Sequence, residues 1–396
     1  MPGKPAAPPR HLPALDGVRG LAILLVLVVH FAGSAADPAL ASGSIVERVF
    51  VRLIDTSGCG VDLFFVLSGF LITRILLCSR GGVQPFRRFY ARRVLRIFPL
   101  YYLALFVVLV IVPQLAGKPP GVREILDRQG WLWLYCGNIA CAILGYSWNQ
   151  GWMRLDHFWS LAVEEHFYFV WPFLALRLPI RSLVQLLWVF VVLAITAKIA
   201  LVGYGMIDAS YQLTPCRLDA LSLGALIAIA ASRGDLARYL GAARRAMLLA
   251  ALGVVALGMV SHLRPWLWWT TALVHTMFAV FFAGLLVAVL SGDGRSRLAG
   301  AFSHPALRTL GKYSYGLYVW HEILRPFLHD WIPPAALEQA LHGRLLGVLA
   351  YAAVCIAIAF AVAYASWHLF EKHFLGLKSR VEYTAGPKSR KAAPQS

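Results

Sequence analysis

The sequence predicts an all-α, polytopic transmembrane bundle of about ten helices with both chain ends in the cytoplasm. Three observations carry that prediction. Hydrophobic residues make up 59% of the 396 positions and charged residues 14%, against roughly a quarter charged in soluble domains. The apolar residues gather into runs near the length needed to cross ~30 Å of hydrocarbon. The basic residues alternate in density from one inter-run loop to the next, as orientation in a bilayer requires.

The runs lie at 15–33, 60–78, 98–113, 158–176, 182–203, 215–231, 246–261, 267–290, 313–330 and 345–371. The third and seventh are short, and the ninth is interrupted by polar residues. Loops on the side of the N-terminus hold 24 Lys and Arg, and those on the opposite side hold 8 over a similar length. The basic side is the cytoplasm by the positive-inside rule, which places the protein as a multi-pass species of the cytoplasmic (inner) membrane. A signal-peptide reading of the first 36 residues is set aside, because removing them would break the even topology. The net charge of +18 sits in short blocks between runs rather than along one face, so no nucleic-acid partner is expected; the lipid bilayer is.

Residues 1–375 form one transmembrane domain in this reading, and 376–396 a basic, disordered cytoplasmic tail. Segment 131–144 is apolar but short, and reads as re-entrant or as lying at the outer interface. Among six cysteines, Cys136 and Cys141 fall in an outside loop where a disulfide is conceivable, although small apolar fillers are the simpler reading.

Ionisable side chains inside spans are expensive and usually face a cavity. Here they include Arg19 and His30, Asp62 and Arg74, Glu164, Glu165 and His166, Lys198, Arg217 and Asp219, His275, and His321, Glu322 and Arg325. Arg19 and His30 are 11 residues apart, nearly one helical face, and about 16 Å apart along the axis. A satisfied interfacial histidine is the competing reading of His30. Arg93 and Arg96 share a face within an arginine cluster suited to phosphate oxygens, but the cluster alone does not distinguish coenzyme A from lipid head groups. The histidines lack ligand spacing such as HExxH, so no metal is expected.

In order, the motifs resemble the acyltransferase-3 family of membrane acyltransferases. LPALDGVRGLAILLVLVVHF (Leu12 to Phe31) carries Arg19 and His30 as R-x10-H. GVDLFFVLSGFLIT (Gly60 to Thr73) and RRFYARRVLRIFPLYY (Arg87 to Tyr102) follow, the latter with Arg93 and Arg96 as RxxR. FWSLAVEEHFYFVWP (Phe158 to Pro172) has His166 where the family has Gln. RLDALSLGALIA (Arg217 to Ala228) and GKYSYGLYVWHEIL (Gly311 to Leu324) complete the series.

The resemblance implies a membrane enzyme that moves an acyl group, acetyl by default, from cytoplasmic acyl-CoA to a hydroxyl of a sugar, exported glycan or glycosylated small molecule. Acyl-CoA is then a donor substrate, with no permanently bound cofactor. Some members carry a further extracytoplasmic hydrolase-like domain, which these residues are not expected to contain. Such transfer needs a base, donors for the carbonyl oxygen and a handle for the carrier's phosphates. His30 is assigned as general base, with Glu164, or less plausibly Glu165, orienting its ring. Arg93 and Arg96 would hold coenzyme A phosphates, and Arg19 would line the path of the pantetheine arm. Ser314, Tyr318 and His321, at i, i+4 and i+7, are candidates to bind acceptor or stabilise the oxyanion. Asp62, Ser68, Arg217 and Asp219 read as structural polar networks. The rival reading is a polytopic transporter with an ion or proton relay, opposed by the lack of repeated halves.

Overall fold

The computed structural model describes residues 12–36, 38–263, 269–291 and 296–381. All ten expected runs are helical: α1 (Pro13–Ala35), α2 (Gly60–Ser79), α3 (Pro85–Phe106), α4 (Trp159–Arg177), α5 (Ile180–Gly203), α6 (Leu218–Ser232), α7 (Leu240–Leu263), α8 (Trp269–Leu290), α9 (Pro305–Trp331) and α10 (Arg344–Ser366). Eight helical stretches among the described residues are long and apolar enough to cross a membrane, and they take in all of these helices except α4 and α9. Those two carry Glu164 and Glu165, and Glu322 and Arg325. Both helices contribute to the site described below.

The third run is not short. Its helix begins at Pro85, the first-turn position at which proline loses no hydrogen bond, and continues through a π-helical turn at Val107–Ile111 to Ala116. The arginine-rich stretch expected as loop 79–97 is therefore helix from residue 85 onward. Arg93 and Arg96 are held on a rigid element one turn apart.

Two helix pairs cross with backbones in close contact, the geometry that small residues permit in membranes. A Cβ added at Gly17 or Gly20 of α1 would sit 1.7 Å from the Phe302 carbonyl oxygen or 1.9 Å from that of Leu307. One added at Gly311 of α9 would sit 1.8 Å from the carbonyl oxygen of Asp16. Gly69 of α2 and Gly224 of α6 meet the backbone of the opposite helix in the same way. The α1–α9 crossing fixes the register between His30 and His321.

Segment 131–144 folds as two short helices, Gly130–Trp133 and Gly137–Leu144, neither long enough to span. Hydroxyls of α3 hold it: Tyr101 donates to the Leu132 carbonyl at 2.7 Å and Tyr102 to that of Trp133 at 3.1 Å. Cys136 and Cys141 are free thiols, as are the other four cysteines. Of the expected tail, Leu377–Val381 forms a 3-10 turn. Carbonyls of Lys378 and Val381 there accept from Arg92 of α3 at 3.2 and 3.1 Å. Residues 382–396 lie outside the described residues.

Candidate active site

Helices α1, α2, α3, α4 and α9 line a chamber of about 820 Å³, counting the part open to solvent. Three guanidinium groups, Arg19, Arg93 and Arg96, face it together with Glu164, Glu165, Ser314 and Tyr318. Seven of the nine residues singled out in the sequence thus share one cavity. Ser68 and Ser160 also line it, and the rest of the wall is mainly aromatic and aliphatic, with Phe64, Phe65 and Leu71 from α2. Arg19 is braced by Asp16 one turn earlier, at 3.2 Å. Arg93 lies 4.7 Å over the ring of Tyr168, whose hydroxyl donates to Glu164 at 3.0 Å. Ser68 donates to the other oxygen of Glu164 at 2.6 Å.

Those bonds correct one assignment. Glu164 is engaged by Ser68 and Tyr168, and the carboxylate beside His30 is Glu322 of α9, with Oε1 3.8 Å from His30 Nε2. The sequence shows Glu322 as an intramembrane acid but gives it no role. The available signal was its i+4 and Arg325's i+7 spacing from Tyr318, which places all three on one helical face.

His30 and His321 do not line the arginine chamber. They pack edge to face beyond it, with ring centroids 4.9 Å apart, and His157 packs against His321 at 5.2 Å. Tyr318 joins the two levels. Its ring lies 5.5 Å from that of His321, and its hydroxyl reaches Ser160 of the chamber wall at 2.5 Å and donates to the His157 carbonyl at 2.8 Å. The hydroxyls of Ser314 and Tyr318 are both committed to backbone carbonyls, that of Ser314 to Gly311 at 3.0 Å. His321 Nδ1 is 2.7 Å from the Tyr318 carbonyl, which places the proton on Nδ1, and in the neutral ring Nε2 then carries a lone pair. In this state His321 accepts hydrogen bonds and has none to donate to an oxyanion.

A second cavity opens on the other side of the histidine pair. Its walls are Ser34, one turn beyond His30, with Arg325, His329 and Asp330 of α9 and Gly151, Trp152 and Arg154 of a loop. That loop is a hairpin, β1 (Asn149–Gln150) against β2 (Met153–Arg154), turning at Gly151 with φ 55°. Asp156 anchors it by accepting from Ser147 Oγ at 2.8 Å and from the Trp148 amide at 2.5 Å. Burial raises the Asp156 carboxyl above its ordinary range, although these two bonds pull it down. Nothing in the sequence marks this cavity, because a short hairpin far from α9 in the chain supplies half of it.

Five other intramembrane charges pair among themselves. Arg217 meets Asp62 at 3.1 Å, Asp62 also meets His275 at 3.0 Å, and Lys198 meets Asp219 at 2.5 Å. These are the structural networks expected of Asp62, Arg217 and Asp219; Ser68 belongs instead to the chamber. His166, the departure from the family motif, meets Thr214 at 2.7 Å and does not line the chamber.

Comparison with known proteins gives the family of the chain. A family model described as an acyltransferase domain matches residues 12–367. The O-acetyltransferase OatA of Staphylococcus aureus is 26% identical over 345 residues, covering 82% of this chain and 52% of its own. The peptidoglycan O-acetyltransferase OatA of Listeria monocytogenes is 27% identical over 330 residues, covering 79% of this chain and 49% of its own. The chain spans about half the length of the curated relatives it matches. No solved structure matches it.

Proposed function

The chain belongs to the acyltransferase domain family, and from that membership we propose that it transfers an acetyl group from a thioester carrier, acetyl-CoA, to a hydroxyl of a sugar in the cytoplasmic membrane. One observation carries this reading: along α1 and α9 a histidine pair lies between an arginine-lined chamber and a second polar cavity. Guanidinium groups suit the phosphates of a coenzyme A donor. The aromatic and hydrogen-bonding wall of the second cavity, with Trp152, Ser34, Arg154 and Asp330, suits a sugar acceptor. The two substrates approach from opposite sides and react at the histidine pair.

His30 is the base in this scheme. Its Nδ1 lies 2.8 Å from the Val26 carbonyl, and since a carbonyl only accepts, Nδ1 holds the proton and Nε2 the free lone pair. Nε2 takes the proton of the acceptor hydroxyl as the oxygen attacks the thioester carbonyl. The new C–O bond forms, the C–S bond breaks, and the imidazolium returns its proton to the departing thiolate. Glu322, 3.8 Å from Nε2, stabilises the positive charge the ring carries between those steps. Proton transfer by a positioned group contributes about 10²–10⁴-fold.

The test is acetyl transfer by the purified chain in lipid nanodiscs, with radiolabelled acetyl-CoA and a panel of glycan acceptors. Acceptor labelling that disappears in His30→Ala, while thermal unfolding is unchanged, is the expected result. Labelling that survives His30→Ala would remove the proposed base.

A further inference from the structure

His30, His321 and Glu322 each offer one ligand atom, and the three atoms lie within 4.8 Å of one another. Both rings are fixed from behind by backbone carbonyls: His30 Nδ1 by Val26 at 2.8 Å, and His321 Nδ1 by Tyr318 at 2.7 Å. Each ring therefore presents an Nε2 lone pair to the same point. Arg325 holds Oε2 of Glu322 at 2.9 Å, which leaves Oε1 turned toward the imidazoles. Three acceptors converge with no donor between them. His321 Nε2 and Glu322 Oε1 are buried, and neither has a hydrogen-bond partner among the described residues.

Lone pairs gathered in this way call for a cation. Backbone carbonyls behind metal-binding imidazoles, and a partner on the free oxygen of a ligating carboxylate, are the supports that orient ligands in metal sites. We propose that His30, His321 and Glu322 bind one divalent transition-metal ion, with Zn²⁺ the chemistry that fits best. Two imidazoles and one carboxylate are a ligand set of three-ligand zinc sites, whereas Mg²⁺ and Ca²⁺ prefer all-oxygen shells. Bonds of about 2.0–2.2 Å require the ligand atoms to draw closer than they stand here. His30, whose side chain is 32% exposed, has room to move, and it gives the ion a way in.

The consequence rests on the acyl-transfer reading. The lone pair that His30 uses as a base is the one it gives to the metal, so the loaded protein does not transfer acyl groups. Zinc is then an inhibitor acting at the reaction centre rather than a catalyst.

The experiment uses the full chain in nanodiscs, stripped with a chelator and dialysed against Zn²⁺, with bound metal quantified by mass spectrometry. One ion per chain is expected, with affinity falling at least tenfold in His321→Ala and in Glu322→Gln. Equal binding by wild type and the double variant overturns the site. Should the variants fail to fold, Co²⁺ bound to the wild-type chain decides: intense tetrahedral d–d absorption supports the site, and a weak octahedral spectrum overturns it. Acetyl transfer should fall with the same midpoint as binding, and full activity at saturation would overturn the inhibition. A chain that binds zinc at these residues but acetylates nothing would end the acyl-transfer reading and leave the metal site standing.

Discussion

Two buried polar clusters in this bundle are built on opposite terms. At the α5–α6–α8 junction, Lys198 donates to Asp219 at 2.5 Å and to Thr276 at 3.0 Å, and Thr276 donates to Asp219 at 2.7 Å. Lys198 is 2% exposed and Asp219 1%; donors and acceptors balance, and the charges cancel. At the α1–α9 crossing, His30, His321 and Glu322 meet with acceptors in surplus and two of their atoms unpartnered. The first cluster is a closed staple between helices. The second is poised for something that arrives, whether a hydroxyl proton or a metal ion. Intramembrane polarity alone does not separate structure from chemistry; the balance of donors and acceptors does.

Breaking each cluster should therefore fail in a different currency. The largest expected effect is on rate: His30→Ala lowers acetyl transfer by about 10²–10⁴-fold, read in the nanodisc assay, with the unfolding midpoint unmoved. A comparable energy appears as stability in the closed cluster. Lys198→Met leaves Asp219 buried without its cation and should lower unfolding free energy by about 3–5 kcal/mol, measured by denaturant titration in detergent, while activity per folded molecule holds. If Lys198→Met abolished catalysis in protein that is still folded, the division between the clusters would not stand.

A smaller effect belongs to the arginine chamber. A hydrogen bond to a charged group contributes about 1.5–3 kcal/mol, so Arg96→Ala should raise the KM for acetyl-CoA by roughly ten- to a hundredfold, with kcat little changed. An unchanged KM would move the donor elsewhere. The smallest effect is at Asp156 below the hairpin. Its carboxyl is raised in the folded chain, so its contribution is fully present below the unfolded-state value, about 3.9, and is lost as pH rises through the folded one. The melting temperature of wild type relative to Asp156→Asn should therefore decline from acid toward neutral pH. A constant difference would contradict the raised carboxyl.

Much of this was legible along the chain. The ten helices were readable because hydrocarbon thickness fixes the length of an apolar run, and Arg19, Arg93, Arg96, Glu164 and Tyr318 stood out because lipid makes polar residues conspicuous. Contacts between helices were not readable. His30 lies 292 positions from Glu322, and the glycine-mediated crossing of α1 and α9 brings them together, so the carboxylate beside His30 is Glu322 and not Glu164. Metal-ligand spacing failed for the same reason, since the three candidate ligand atoms come from two helices. The second cavity was invisible because the hairpin at 149–154 carries no periodic signal. The start of α3 was misplaced because arginines that anchor a membrane helix look, in sequence, like a loop.

The central claim is that donor and acceptor reach the histidine pair from opposite faces. Sealed proteoliposomes of uniform orientation test it directly, with acetyl-CoA confined to the side of the arginine chamber and a sugar acceptor confined to the other. The account predicts O-acetylated sugar on the acceptor side, absent when acetyl-CoA is supplied on that side alone. Product formed only when both substrates share a compartment would contradict it.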